Sequence, residues 1–330
     1  KKSTNSQLNK ESRDTMNSNI KVAAETVVKD CMQVRENENL LIVTDAGKRE
    51  LADDVADAIR SMGVDAVVVE RVQPPDNKMP ALCAAALEKA DVALFITSGS
   101  FSHTKERAEA NERGCRIASM PTITEEIMET TLTADFNEVE RIGNILADKL
   151  SKCERIHITT PLGTDLTLFC DGRNGIADTG KLGECGAFGN LPAGEAMVAP
   201  IETKGDGVLV VDGVIVGMDA LTDPLTIEFE DGRIKNVLGT QAADFLNFVN
   251  RFDDNAKNVC EFGIGTNEKC HLMGNPLVDE KIYGTIHVAC GNNLFMGGKQ
   301  DSNMHYDMIV TKPTVYLDDE CIIKDGVHVY

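Results

Sequence analysis

The hydrophobic period of this chain changes once, near Arg155, and that change limits the folds open to it. Before it, short continuous apolar runs alternate with stretches of helical spacing. Leu40–Thr44 reads as a strand, Lys48–Met62 as a helix, Val64–Val69 as a strand, Met79–Lys89 as a helix, Val92–Thr97 as a strand, and Thr104–Arg113 as a helix stopped by Gly114. Apolar strands separated by helices belong to a parallel sheet covered on both faces. From Arg155 the period is two: ERIHITTPLGTDLTLFCDGR alternates around Pro161 and Gly163, and Pro224–Ile234 alternates around Asp231-Gly232. Both are hairpin signals. Only five of the 27 glycines precede residue 155. At 330 residues two cores are expected. The fold class read from this is α/β: a doubly wound, mostly parallel amino-terminal sheet domain over 1–154, its first 19 residues frayed, followed by a β-rich α+β domain over 155–330.

Finer expectations follow from the same patterns. Ile20–Val34 has helical spacing, Thr122 and Glu125 read as a capping box for a helix over Thr124–Thr130, and Phe136–Leu150 carries its own apolar stripe. Gly183–Pro200 reads as a loop ending in a short apolar run, Gly207–Gly217 as a hairpin, Met308–Leu317 as a strand, and Ala242–Phe252 as a helix. The first strand leads into TDAGKREL, which has one glycine and neither the GxGxxG fingerprint nor a P-loop, so no bound dinucleotide is expected.

A net charge of -20, from 33 basic and 53 acidic residues, argues against nucleic acid and anionic membrane surfaces as partners, and is compatible with metals and amines. The apolar run VLVVDGVIVG is broken by Asp212 and Gly213, short of bilayer length, and the amino-terminal KKSTNSQLNKESRDTMNSN has no apolar core of a signal peptide. Ten scattered cysteines without a CxxC pair read as reduced thiols, which makes the cytoplasm the expected address.

The chemistry concentrates in Gly284–Asp307, GTIHVACGNNLFMGGKQDSNMHYD. His287 shares a strand face with Thr285 and Ala289, and His305 shares one with Asp307, since side chains at i and i+2 of a strand point the same way. Two imidazoles and a carboxylate converging from neighbouring strands suit zinc, cobalt, manganese or iron. Two glutamates join them. Glu195 lies between glycines and prolines in GNLPAGEAMVAP, and Glu261 lies in the strand-like CEFGIG, where a carboxylate is costly unless paired, solvated or metal-bound. Taken singly, a histidine is more often a structural residue than a ligand; the five together are far more specific. Glu280 reads either as a further site carboxylate or as part of a surface turn.

GNLPAGEAMVAP, EFGIGTN, DEKIYGTIHVACG and HYD, in this order and followed by PTVYLD, resemble the metallo-aminopeptidase family of aminopeptidases S and T, the leucyl aminopeptidase-like enzymes. The resemblance spans nearly the whole chain and is strongest from Gly189 onward. It implies an α/β amino-terminal domain, a β-rich metal domain, a homodimer, and two divalent ions (zinc, cobalt or manganese) on Glu195, Glu261, His287, His305 and Asp307, with Glu261 also the general base. The implied activity is release of amino-terminal residues from small peptides through a metal-activated water. In those peptidases a tyrosine closely follows the GTIH-type motif; here the segment is Asn292-Asn293-Leu294-Phe295. The alternative reading takes only His287, His305 and Asp307, the two-histidine, one-carboxylate set of a mononuclear Fe(II) oxygenase. The resemblance allows it, because the same superfamily contains a ring-cleaving dihydroxypyridine dioxygenase. A third reading is a non-catalytic metal-binding relative.

Overall fold

The computed structural model describes residues 19–72 and 78–330. Contacts divide it into two compact units: the described residues up to Asn137 with Gly180–Ala193, and Glu138–Thr179 with Gly194–Tyr330. The chain thus passes between units three times, where the sequence reading drew one boundary after residue 154. From Glu138 onward the helix Phe136–Lys152 counts with the second unit, and the strand Phe188–Asn190 returns to the first. The expected frayed terminus falls on residues outside the described ones, apart from Asn19, which opens a helical run.

The first unit is a five-stranded parallel sheet in the order Ala66–Arg71, Leu40–Asp45, Val92–Thr97, Arg116–Pro121, Phe188–Asn190. The strands Leu40–Asp45 and Val92–Thr97 are buried throughout, as a sheet covered by helices requires. Helix Arg49–Ser61 buries Leu51, Ala52, Val55, Ala56, Ala58 and Ile59 on one face. Thr104 caps Lys105–Glu112 by accepting from the Arg107 amide. The helix cap falls at Thr124, whereas the sequence reading put it at Thr122. Thr124 accepts from the Ile127 amide at 3.1 Å, and Thr122 precedes it with a left-handed φ of 60°.

The second unit holds two antiparallel sheets. The larger runs Arg233–Leu238, Leu225–Glu230, Gly205–Val211, Asp165–Phe169, Arg155–Thr159, Thr314–Leu317, Glu320–Lys324, Val327–His328. Its two expected hairpins are present, and Asp231 and Gly232, at φ 51° and 72°, form the second turn in the geometry that matches strand twist. The hairpin expected over Gly207–Gly217 is absent. The Asp212 carboxylate accepts from the Thr311 amide and hydroxyl, which draws the chain out of the sheet after Val211. Met308–Leu317 also divides at Lys312, whose φ of 48° ends one strand before the next begins in the other sheet.

The smaller sheet runs His305–Val310, Ile286–Gly291, Val259–Gly265, Glu195–Val198, Ile176–Asp178. The run read as a loop around Glu195 therefore contains two short strands. One face of this sheet, including Phe262, Ile264, Ile286, Val288, Tyr306 and Met308, enters the unit's core with residues of the larger sheet. Tyr306 is fully buried among Phe245 and Phe248, and its hydroxyl donates to the Ala256 carbonyl at 2.9 Å. Tyr306→Phe should cost about 0.5–1.5 kcal/mol in denaturant unfolding, because that carbonyl loses its donor. Its metal content should stay unchanged, since Tyr306 points away from its neighbours His305 and Asp307.

Candidate metal centre

The opposite face of the smaller sheet carries the charges. Asp307 pairs in register with Ala289, which also pairs with Glu261; His305 lies opposite Gly291, His287 opposite Gly263, and Glu195 opposite Gly265. A small residue thus stands on one side of each functional side chain, while His287 also faces Ile309 and Glu195 also faces Asp178. Gly263 is required by closeness: a Cβ there would lie 1.9 Å from His287 Nε2. A β-bulge aims Glu261. Val259 pairs with Cys290 and Glu261 with Ala289, leaving Cys260 as the extra residue. In an unbroken register Glu261 would oppose Val288 and point into the apolar core. The bulged Cys260 thiol lies 3.5 Å from His305 Nδ1.

All five residues expected at the site meet. Glu261 lies between the imidazoles, one oxygen 3.2 Å from His287 Nε2 and the other 3.2 Å from His305 Nε2. His287 Nε2 is also 3.4 Å from Glu195, and His305 Nε2 is 3.5 Å from Asp307. Among the described residues, two sets bring ligand atoms within 4.8 Å of one another: Glu195, Glu261 and His287, and Glu261, His305 and Asp307. His287, His305 and Asp307 do not form a set by themselves; Glu261 joins them.

Glu195, Glu261 and Asp307 are at most 6% exposed and His287 is 1% exposed, so these charges need compensation inside the protein. Lys281, unremarked in the sequence, supplies part of it. Its Nζ lies 3.1 Å from Glu195 and pairs with Glu280, a half-buried turn residue that is thereby a neighbour of the site. Protons supply more. Burial opposes charge on His287, but the hydrogen bond to Glu261 and the charges of Glu195 and Asp307 outweigh it and lift its pKa to about 9. Burial likewise disfavours charge on His305, yet Asp307 holds it well above its ordinary value. Glu261 and Asp307, although buried, are held below the usual carboxylate range by these imidazoles. Burial pushes Glu280 up to about 8.

A divalent ion does the same work as those protons, and the nitrogen and oxygen donors suit one. His305 is oriented as a ligand would be, its Nδ1 bonded to the Asn292 carbonyl at 2.8 Å and its Nε2 facing the cluster. His287 Nδ1 is buried with no hydrogen-bond partner. Because an incoming ion must displace the His287 proton, affinity for Co2+ should rise between pH 6.5 and about 9, about tenfold per unit for each proton displaced. Titrations across that range check this, and a flat affinity contradicts it. His305 is the more open side of the cluster, 25% exposed, with the ring of Phe295 edge-on to it at 5.4 Å.

The profile of the family NicX, 2,5-dihydroxypyridine 5,6-dioxygenase, matches residues 20–330. The 2,5-dihydroxypyridine 5,6-dioxygenase of Pseudomonas putida KT2440 is 24% identical over 256 residues, 73% of this chain and 71% of that protein. The solved structure of 2,5-dihydroxypyridine dioxygenase from the same organism superposes with a TM-score of 0.77 at 20% identity, over 95% of this chain and 97% of that one. Wild-type AmpT from Thermus thermophilus, on the aminopeptidase side of the resemblance, superposes with a TM-score of 0.70 at 18% identity, over 95% and 99%.

These matches bear out the α/β fold with its β-rich second part. They overturn the aminopeptidase reading, and with it the hydrolase and metalloprotease assignment; the oxygenase alternative fits them. The likeness to AmpT carries the fold alone. The physical reason for the error is that imidazole and carboxylate ligands serve zinc hydrolases and iron oxygenases alike. The departure in the sequence that spoke against a peptidase is the segment Asn292–Phe295, which lacks the peptidases' tyrosine. A metal cofactor is what the family implies, and this cluster is a candidate place for it. Among the described residues no helix is long and apolar enough to cross a membrane.

Proposed function

The chain belongs to the 2,5-dihydroxypyridine 5,6-dioxygenase family, and on that premise we propose that it is a metal-dependent dioxygenase that opens the ring of a dihydroxypyridine between positions 5 and 6. In this reading His287, His305 and Asp307 hold one ferrous ion, with Glu261 beside it. The observation that carries the reading is two imidazoles from adjacent strands converging on Glu261 beside Asp307, in a chain matched by that family over residues 20–330. When bound, the iron supplies the one-electron chemistry that lets dioxygen react with an aromatic ring.

The protein's own groups do the rest. The strand pairing of Ile286–Gly291 with His305–Val310 fixes both imidazoles and Asp307 to one rigid face. Glu261, kept as a carboxylate by the histidines, offers a hydrogen-bond acceptor to a ring hydroxyl that binds beside it. The exposed edge of His305, beside Phe295, is the side from which a flat ring enters.

The test is oxygen uptake. Protein loaded anaerobically with Fe2+ and mixed with 2,5-dihydroxypyridine in aerated buffer should consume one dioxygen per ring lost, and zinc-loaded protein should consume none. Fully iron-loaded protein that leaves both the ring and the oxygen untouched would end the reading.

A further inference from the structure

We propose that the Lys281 ammonium takes the place of a second metal ion and limits this site to one. The face described above offers two adjoining sets of cation ligands that share Glu261. In one of them Glu195 is already paired: one oxygen lies 3.1 Å from Lys281 Nζ, and the other faces His287 Nε2 at 3.4 Å. Lys281 is 1% exposed and also pairs with Glu280. Its backbone is fixed beside the site, its amide donating to Val278 and its carbonyl accepting from Asn267, just after the short helix Pro276–Asp279. A primary ammonium held this way is shielded from solvent and paired on two sides. A divalent ion against the same carboxylate would meet a like charge where little water is present to screen it. The other set, Glu261, His305 and Asp307, has no lysine ion pair among the described residues and stays open to the one ion, which in the reading above it holds together with His287.

Lysine therefore decides between one ion and two on a ligand array able to hold either. This rests on the one-ion reading above, but its test does not use turnover. Metal-free protein is dialysed to equilibrium against Mn2+, and the bound ions are counted by mass spectrometry of the digested protein. Wild type and Lys281→Arg should bind one ion per chain, and Lys281→Met should bind two. Two ions on the wild type, or one on a folded Lys281→Met protein, would overturn the proposal. If Lys281→Met or Lys281→Ala does not fold without metal, Mn2+ should restore its circular dichroism and raise its thermal midpoint more than it raises the wild type's; no such rescue would also overturn it. Wild type with one ion, a variant with two, and no oxygen uptake by either would end the dioxygenase reading while leaving this one standing.

Discussion

Protein carrying His305→Ala is expected to purify with less than about a tenth of the wild-type iron and to lose ring opening by more than the ~10–100-fold that follows loss of an outer partner of a ligand. Three facts make this the largest single effect. His305 faces both Glu261 and Asp307, its Nδ1 is anchored on the Asn292 carbonyl, and it is the most exposed of the five residues. Removing it deletes a ligand and leaves two buried carboxylates facing each other with one imidazole fewer between them. The fold should persist, because the opposite face of the same strand keeps Tyr306 and Met308 in the core. Elemental analysis and far-ultraviolet circular dichroism on the same sample separate the two outcomes. A variant with full iron and full rate would remove His305 from the ligand set.

Gly263→Ala should come close to that effect without touching a ligand. The added methyl would sit 1.9 Å from His287 Nε2, far inside contact distance, so the ring must turn away. Overpacking of this kind costs about 1–3 kcal/mol of stability. The loss of iron affinity should be of similar size in free energy, about 10–100-fold, because His287 can no longer present Nε2 beside Glu261. A dissociation constant for Fe2+ or Co2+ within twofold of wild type would mean that His287 is not a ligand. The contrast with Tyr306→Phe, which should lose stability and keep its metal, tests whether the two faces of the sheet divide the labour.

Much of this centre could be read from spacing. His305 and Asp307 are two apart in a run of period two, so one face had to receive both, and His287 occupies the matching phase of the next strand. Glu261 stood out as a carboxylate in an apolar strand. What spacing did not contain was the bulge at Cys260 that turns Glu261 to the correct face, because an extra residue in one strand is defined only by its partner. Glu195 looked like a loop residue because glycine and proline surround it, yet Gly194 and Pro192 merely lead into a strand whose pairing with Val259–Gly265 is long-range. Lys281 was invisible for the same reason: a lysine is buried only when distant acids, here Glu195, come to meet it. The passage of Gly180–Ala193 back to the first unit follows from the pairing of Phe188–Asn190 with Arg116–Pro121, which no local pattern encodes. Chemistry was the least legible layer. The donor atoms identify a place for a metal, but a peptide hydrolase and an oxygenase draw on the same donors, and the family match was needed to choose.

The central claim is that this cluster joins dioxygen to an aromatic ring. Turnover of 2,5-dihydroxypyridine by the iron-loaded protein under 18O2, with mass spectrometry of the ring-opened product, tests it most directly. Two labelled oxygen atoms in each product molecule are expected, and substitution of His305 should abolish their appearance. Product formed at full rate with no label from 18O2, its new oxygen coming from water instead, would contradict the account.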